Sequence, residues 1–428
     1  MSKTILIKSI VLSVITLSAL QLRAQNKYTF KPYGFIRNDF YYDSRQSFET
    51  AGGLFYIVPK EESYNLAGQD QNDISTSNYL SIASRFGLNI SGPKVGKAES
   101  TARFETDFAG FSGSTTMLRI RQAFCKLAWT KYGADSSIIS KNELLVGQTW
   151  HPFFGDVVPD IQSLATGSPF QAFNRSPMVK FDWGIKKFRI TGAAIYQFQY
   201  SSTGPLGSSP SYLGNNNLPE LYAGFDYKKP GLILGAGIDI MQIRPRVKGD
   251  VIYGDTVISG NIEEKLTCIA YQAYAQYDTP GQKLSIKAKT YYGDNMSQLL
   301  LLGGYGVNSI NFDGTYEYSN LKNSTSWLDI TYNFGLIKLG FFAGYMKNLG
   351  SDKELLSKQT TYVFGFNNID YVYRLAPEIV WQKGNWTFGI EYEKTTVAYG
   401  TLNLSNGCVD NSHEVSNNRI IGVLMYNF

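Results

Sequence analysis

The sequence predicts an all-β chain that closes into a transmembrane antiparallel β-barrel of about sixteen strands, with long extracellular loops and short periplasmic turns. Three observations predict it. Apolar and polar residues alternate with a period of two in segment after segment, which places them on opposite faces of a strand. The connectors alternate between tight turns and long loops. Beyond the first twenty-four residues no run of eighteen apolar residues could cross a membrane as a helix.

The opening segment is set apart by Lys3 and Lys8 flanking an apolar run from Ile5 to Leu20 that ends at Leu22-Arg23-Ala24. That is the pattern of a secretory signal peptide cleaved after Ala24, leaving residues 25–428 as a single barrel domain. The formal net charge is +5, and losing Lys3, Lys8 and Arg23 with the leader leaves +2, too little to recruit nucleic acid. Charged residues make up only 18% of the chain while Tyr, Phe and Gly are abundant, as alternating lipid-facing and lumen-facing positions require. Cys125, Cys268 and Cys408 are an odd set read as free thiols, and with two histidines in all, the chain offers no disulfide framework or metal-ligand spacing. No cofactor is expected.

Alternation is clearest from Lys187 to Tyr200, where Phe188, Ile190, Ala194, Tyr196 and Phe198 oppose Lys187, Arg189, Thr191, Gln197 and Gln199. It recurs where Ala102, Phe104 and Phe108 oppose Arg103, Glu105 and Asp107, and where Leu284, Ile286, Ala288 and Tyr292 oppose Lys283, Ser285, Lys287 and Lys289. Trp386, Phe388, Ile390 and Tyr392 oppose Thr387, Gly389, Glu391 and Glu393 in the same way. Any one such segment also suits a half-buried strand of a soluble sandwich. Repetition along the chain behind a leader favours the membrane. The strands are placed near 33–43, 80–92, 99–111, 116–130, 142–150, 178–183, 186–200, 218–228, 231–243, 265–278, 282–293, 325–334, 337–346, 371–382, 385–398 and 416–428.

Short connectors such as Trp183-Gly184, Lys228-Lys229-Pro230-Gly231 and Thr279-Pro280-Gly281 carry the Gly and Pro that tight turns need. Long ones run over 44–79, 151–177, 201–217, 244–264, 294–324, 347–370 and 399–415, and a connector near 111–115 is short. The last strand ends Leu424-Met425-Tyr426-Asn427-Phe428, with alternate apolar residues leading to a terminal aromatic, and both termini are expected in the periplasm.

Alternation assigns Arg37, Arg85, Arg103, Arg119, Arg121, Arg189, Lys287, Lys289 and Arg374 to the inner, pore-lining face. It places Asp39, Glu105, Asp107, Asp239, Glu378, Glu391 and Glu393 there as well. Fixed charges along a pore tune which ions pass. Arg119 and Arg121 either reach into the channel or pair with Glu105 and Asp107 on the preceding strand. If Leu118 and Ile120 face outward, strict alternation turns Gln122 and Lys126 outward too and leaves Ala123 and Cys125 inside. A cation facing lipid at the midplane costs roughly 2–4 kcal/mol. This wall is therefore expected to meet a protein partner, unless a bulge turns Lys126 inward. The loop over 151–177, the third extracellular one, carries Phe153, Phe154, Phe170 and Phe173 beside Asp156, Asp160 and Arg175, an apolar content that favours folding into the wide lumen as a constriction.

An enzyme would need a nucleophile and a base, and His151 and His413 are the only histidines. Neither lies in a hydrolase-like setting, and no Gly-x-Ser-x-Gly segment occurs. The chain is read as no enzyme, with no catalytic residues.

Several runs carry a family resemblance: Tyr33-Gly34-Phe35-Ile36-Arg37, Ser84-Arg85-Phe86-Gly87-Leu88, Leu118-Arg119-Ile120-Arg121-Gln122-Ala123-Phe124 and Gly147-Gln148-Thr149-Trp150-His151-Pro152. Ser168-Pro169-Phe170, Asn174-Arg175-Ser176-Pro177, Ile243-Arg244-Pro245-Arg246 and Gly303-Gly304-Tyr305-Gly306 join them. Together they resemble the DcaP-like trimeric outer-membrane porin family over the mature chain. The resemblance implies a homotrimer of sixteen-stranded barrels in the lipid bilayer of the bacterial outer membrane, admitting small polar, often anionic, solutes. Too few residues separate Ala24 from the first strand for the coiled-coil extension of some members, so trimer contacts are expected on the barrel walls. The competing expectations are an outer-membrane hydrolase with a filled barrel and a plug-gated active transporter.

Overall fold

The computed structural model describes residues 28–112, 115–253 and 256–428. The expected leader and the Gly113-Ser114 tip of the short connector lie outside the described residues. Sixteen antiparallel strands form the wall: β1 Thr29–Asp43, β2 Arg85–Ser91, β3 Glu99–Ser112, β4 Thr115–Tyr132, β5 Ile138–Trp150, β6 Arg175–Ile185, β7 Phe188–Ile195 and β8 Glu220–Lys229 make up the first half. The second half is β9 Leu232–Ile243, β10 Leu266–Asp278, β11 Leu284–Asp294, β12 Tyr316–Phe334, β13 Ile337–Ser351, β14 Ile369–Lys383, β15 Trp386–Leu402 and β16 Val409–Asn427. Each pairs with its sequence neighbours, and β16 returns to β1 in a register running from Phe35 opposite Asn427 to Asp43 opposite Arg419. Gly34 and Phe428 exchange two backbone hydrogen bonds of 3.0 Å, which zips the seam to the last residue. Closure leaves no unpaired edge, the condition for strands to cross lipid. Shorter strands at 76–80, 303–310 and 361–364 extend the wall at its long-loop end.

The outer face is apolar and solvent-accessible along the wall. Trp183, Phe188, Tyr277, Trp381, Trp386 and Phe428 stand exposed toward the short turns, while Tyr42, Tyr196, Tyr292 and Tyr345 stand exposed toward the long loops. Two aromatic girdles around an apolar band are the surface of a membrane barrel. Charges point the other way, into the barrel.

One wall departs from strict alternation. Glu105 pairs with Gln122 but the next residue, Thr106, pairs with Ile120, so β4 carries a bulge at Arg121-Gln122 and both side chains are buried. An extra residue flips every side chain beyond it. Phe124 and Lys126 therefore turn inward and Ala123 and Cys125 outward, the reverse of the expectation from simple alternation. Lys126 reaches Glu143 at 3.1 Å across the β4–β5 pair. No lipid-facing cation remains there to demand a partner.

The main hydrophobic cluster lies inside the barrel, where wall residues and residues 296–302 of the loop after β11 meet two further inward segments. One is the loop after β5. The other was not foreseen: within the loop after β1, strands Ser47–Thr50 and Phe55–Pro59 form a hairpin whose Phe55, Tyr56, Ile57 and Val58 are all buried.

Candidate functional site

The loop between β5 and β6 enters the lumen because its apolar residues find seats on the wall. Phe153 and Phe170 are fully buried and Phe173 nearly so, each burial contributing roughly 1.5–3 kcal/mol. Phe170 lies against Gly344 of β13, where a Cβ would come within 2.4 Å of its ring. Gln162 lies likewise against Gly389 of β15. Side chains at these two glycines would push the loop off the wall. Phe154 stacks on Trp150 with ring centroids 3.8 Å apart, and Phe173 meets Phe55 of the hairpin at 4.9 Å, so the two inward segments support each other.

Polar contacts pin the loop at several points. Lys289 donates to the carbonyls of Phe153 and Phe154 at 3.2 and 2.8 Å. Arg374 donates to the carbonyls of Ser168 at 3.0 Å and Ile57 at 2.8 Å, and so holds both inward segments at once. Arg37 donates to Gln162 carbonyl oxygen at 2.6 Å, and Gln162 in turn donates to Glu391 and Glu378. Asp160 accepts from Lys338 at 2.8 Å. Asp156, half-exposed, sits between Arg189 and Lys228. Burial opposes its ionisation, but the two cations outweigh that and hold its carboxyl below the ordinary carboxylate range.

The inner-face residues divide into two sets. Lys289 and Arg374, expected to line the pore, are sealed beneath the inward segments and face protein, because their donors are consumed by loop carbonyls. Arg37 is likewise occupied by Asp39 and Gln162. The others form a partly accessible basic wall. Arg119 pairs with Asp107 at 2.7 Å, and Arg121 bridges Glu105 at 2.8 Å and Asp107 at 2.7 Å. Arg85 stands 3.8 Å from Glu105 and over Phe35, while Arg103 donates to Asn89 and lies over Tyr33 and Phe124. Arg189 bonds Asp226 as well as Asp156, and Lys287 lies across the β11–β12 ladder from Asp329.

Arg175 completes this wall. Its guanidinium is fully buried among Trp150, Phe173 and Tyr200, donates to the Tyr200 hydroxyl at 2.7 Å, and leaves Nε and Nη1 without hydrogen-bond partners. Arg85, Arg119 and Arg121 thus share two carboxylates, Glu105 and Asp107, while Arg103 and Arg175 bond the neutral Asn89 and Tyr200. Below the loop, toward the short turns, a cavity of about 210 Å³ is lined by Trp150, Phe154, Asp156, Lys180, Arg189 and Asp226 among others.

Sequence reasoning missed Lys338, Lys228 and Arg419. Arg419 is buried beside Asp43 at 2.7 Å and donates to Gly53 of the hairpin. The consecutive apolar run Leu54 to Val58 was the available signal for that hairpin, since a solvated loop has no use for it.

The chain matches no protein-family model and resembles no curated protein in sequence. Its fold has clear relatives among solved structures. The outer-membrane channel DcaP of Acinetobacter baumannii superposes with a TM-score of 0.67 at 15% identity, covering 94% of this chain and 97% of that one. An anion-selective porin from Comamonas acidovorans gives a TM-score of 0.51 at 9% identity over 94% and 100%. OmpT, an outer-membrane protein of Vibrio cholerae, gives 0.51 at 12% identity over 94% and 98%. At these identities the likeness is one of fold, and by fold this chain is a sixteen-stranded barrel of the porin type.

Proposed function

We propose that the chain is a porin of the bacterial outer membrane, a water-filled channel through which small polar solutes diffuse passively, with a preference for anions. The observation that carries this reading is the contrast of faces: an apolar, girdled exterior around an interior lined by charge and narrowed by an inward loop. A barrel built to stay closed has little use for partly accessible charged side chains along its inner wall.

The anion preference rests on the basic wall, where guanidinium groups outnumber carboxylates and those of Arg85 and Arg119 stand partly exposed. Arginine stays charged at any physiological pH and offers a fork of donors to carboxylates. The anion-selective porin among the structural neighbours is consistent with this. Residues 1–24 serve as the export signal and 25–428 as the barrel domain. The channel works as a homotrimer, with an outer groove of about 310 Å³ beside Ala102, Cys125 and Leu144 as the face that receives another copy.

Liposomes reconstituted with the purified protein test the reading by swelling in solutions of graded size and charge. Rapid swelling in small sugars and faster entry of small carboxylates than of amines of equal size are expected. Liposomes that stay impermeable to all of them contradict it.

A further inference from the structure

The loop that narrows the lumen begins at His151, whose imidazole turns into the wall. There it meets Glu220 at the start of β8 and Asp239 on β9. All three are buried, Nε2 of His151 lying 3.3 Å from Glu220 Oε1 and 3.9 Å from Asp239 Oδ1. One ligating atom from each falls within 4.8 Å of the others. His151 Nε2, Glu220 Oε2 and Asp239 Oδ1 make no hydrogen bond, the imidazole being close to the carboxylates but off the bonding direction. Gln298 donates to Glu220 Oε1 at 3.0 Å, which orients that carboxylate from behind. Among the described residues no Lys or Arg pairs with either acid.

Two adjacent buried carboxylates with no compensating cation are costly unless something positive joins them. His151 does not supply the charge in this geometry. Its Nδ1 accepts the Phe153 amide at 3.1 Å, so it carries no proton, and a single proton sits on Nε2. The imidazole is neutral.

We propose that His151, Glu220 and Asp239 bind a divalent transition metal ion, with Zn²⁺ the best fit to one imidazole nitrogen and two carboxylates. Three protein ligands with a remaining open position are a known zinc arrangement. The cavity below the loop is lined in part by His151 and Pro152. Coordination through Nε2 removes its proton, and the neutral ring then carries its proton on Nδ1. The Phe153 amide must turn away from Nδ1 at that step. Metal binding therefore acts on the first turn of the inward loop and ties its root to two wall strands. The site is independent of which solute the barrel admits.

Untagged full-length protein, stripped with a chelator in detergent and titrated with Zn²⁺, tests this by calorimetry and elemental analysis. One Zn²⁺ per chain is expected, with Glu220→Gln, Asp239→Asn and His151→Gln each weakening binding by at least the roughly 10–100-fold typical of lesser, outer-shell losses. His413→Ala, which changes the other histidine, should leave binding intact. Should the ligand variants fail to fold, Co²⁺ added to the unmutated protein gives a variant-free reading. An absorption change that saturates at one equivalent and is displaced by Zn²⁺ supports the site. No saturable uptake of either ion overturns it, as does stoichiometric binding that survives in folded ligand variants.

Discussion

Replacing Arg374 with methionine should release both inward segments while leaving the barrel closed. The guanidinium donates to Ser168 and Ile57 carbonyls on separate segments, bonds Thr395 Oγ1 at 2.8 Å, and lies over the rings of Tyr56 and Phe170. Hydrogen bonds from a charged group are worth about 1.5–3 kcal/mol each, so losing the two to loop carbonyls removes roughly 3–6 kcal/mol of anchoring. Among the described residues, Glu393, 3.6 Å from Arg374, would keep only Arg419 at 3.7 Å as a cation partner. Each 1.4 kcal/mol is about a tenfold change in population, so undocked states rise by roughly two to four powers of ten (that figure follows from RT at room temperature). Single-channel recording should show larger, noisier conductance, and limited proteolysis should cut within 47–59 and 151–174. Arg374→Lys, which keeps the charge but loses the fork, should fall between. Unchanged conductance and protease resistance in folded Arg374→Met protein would refute the anchoring role.

Arg85→Gln combined with Arg103→Gln should lower the anion-to-cation permeability ratio without unfolding the barrel, and an unchanged reversal potential would place selectivity elsewhere. These two are better probes than Arg119 and Arg121, whose removal strands Asp107 and Glu105. Because Asp156 is held below the ordinary carboxylate range, its tether contributes fully above the unfolded pKa of about 3.9 and is lost only as pH falls through the lower folded value. Conductance attributable to this tether should therefore be constant from about pH 7 to pH 4, whereas Asp156→Asn should raise current noise throughout; a transition within that window would count against it. The bulge in β4 predicts that Cys125 escapes a charged maleimide supplied through the lumen yet reacts with an apolar one in isolated barrels, while buried Cys268 resists both. Labelling of Cys125 by the charged reagent would show strict alternation instead.

All sixteen wall strands were readable from the sequence because lipid on one face and water on the other impose a period of two. Where that contrast ends, so does the signal. β12 begins at Tyr316 and β16 at Val409, earlier than alternation suggests, because their added residues stand among loops and need no apolar face. The β4 bulge was equally hidden: Arg121 and Gln122 are both polar, so a residue inserted there leaves no mark in composition. The phenylalanines of the third extracellular loop were a usable signal, since four rings need burial. The His151 cluster was not, because Glu220 and Asp239 lie far from it in sequence and only strand pairing brings them together.

The central claim is tested most directly by the purified protein in a planar bilayer under a KCl gradient. The account predicts discrete, steady, ohmic conductance steps with a reversal potential displaced toward that of chloride. A protein that inserts as a folded barrel yet gives no steady conductance would contradict it.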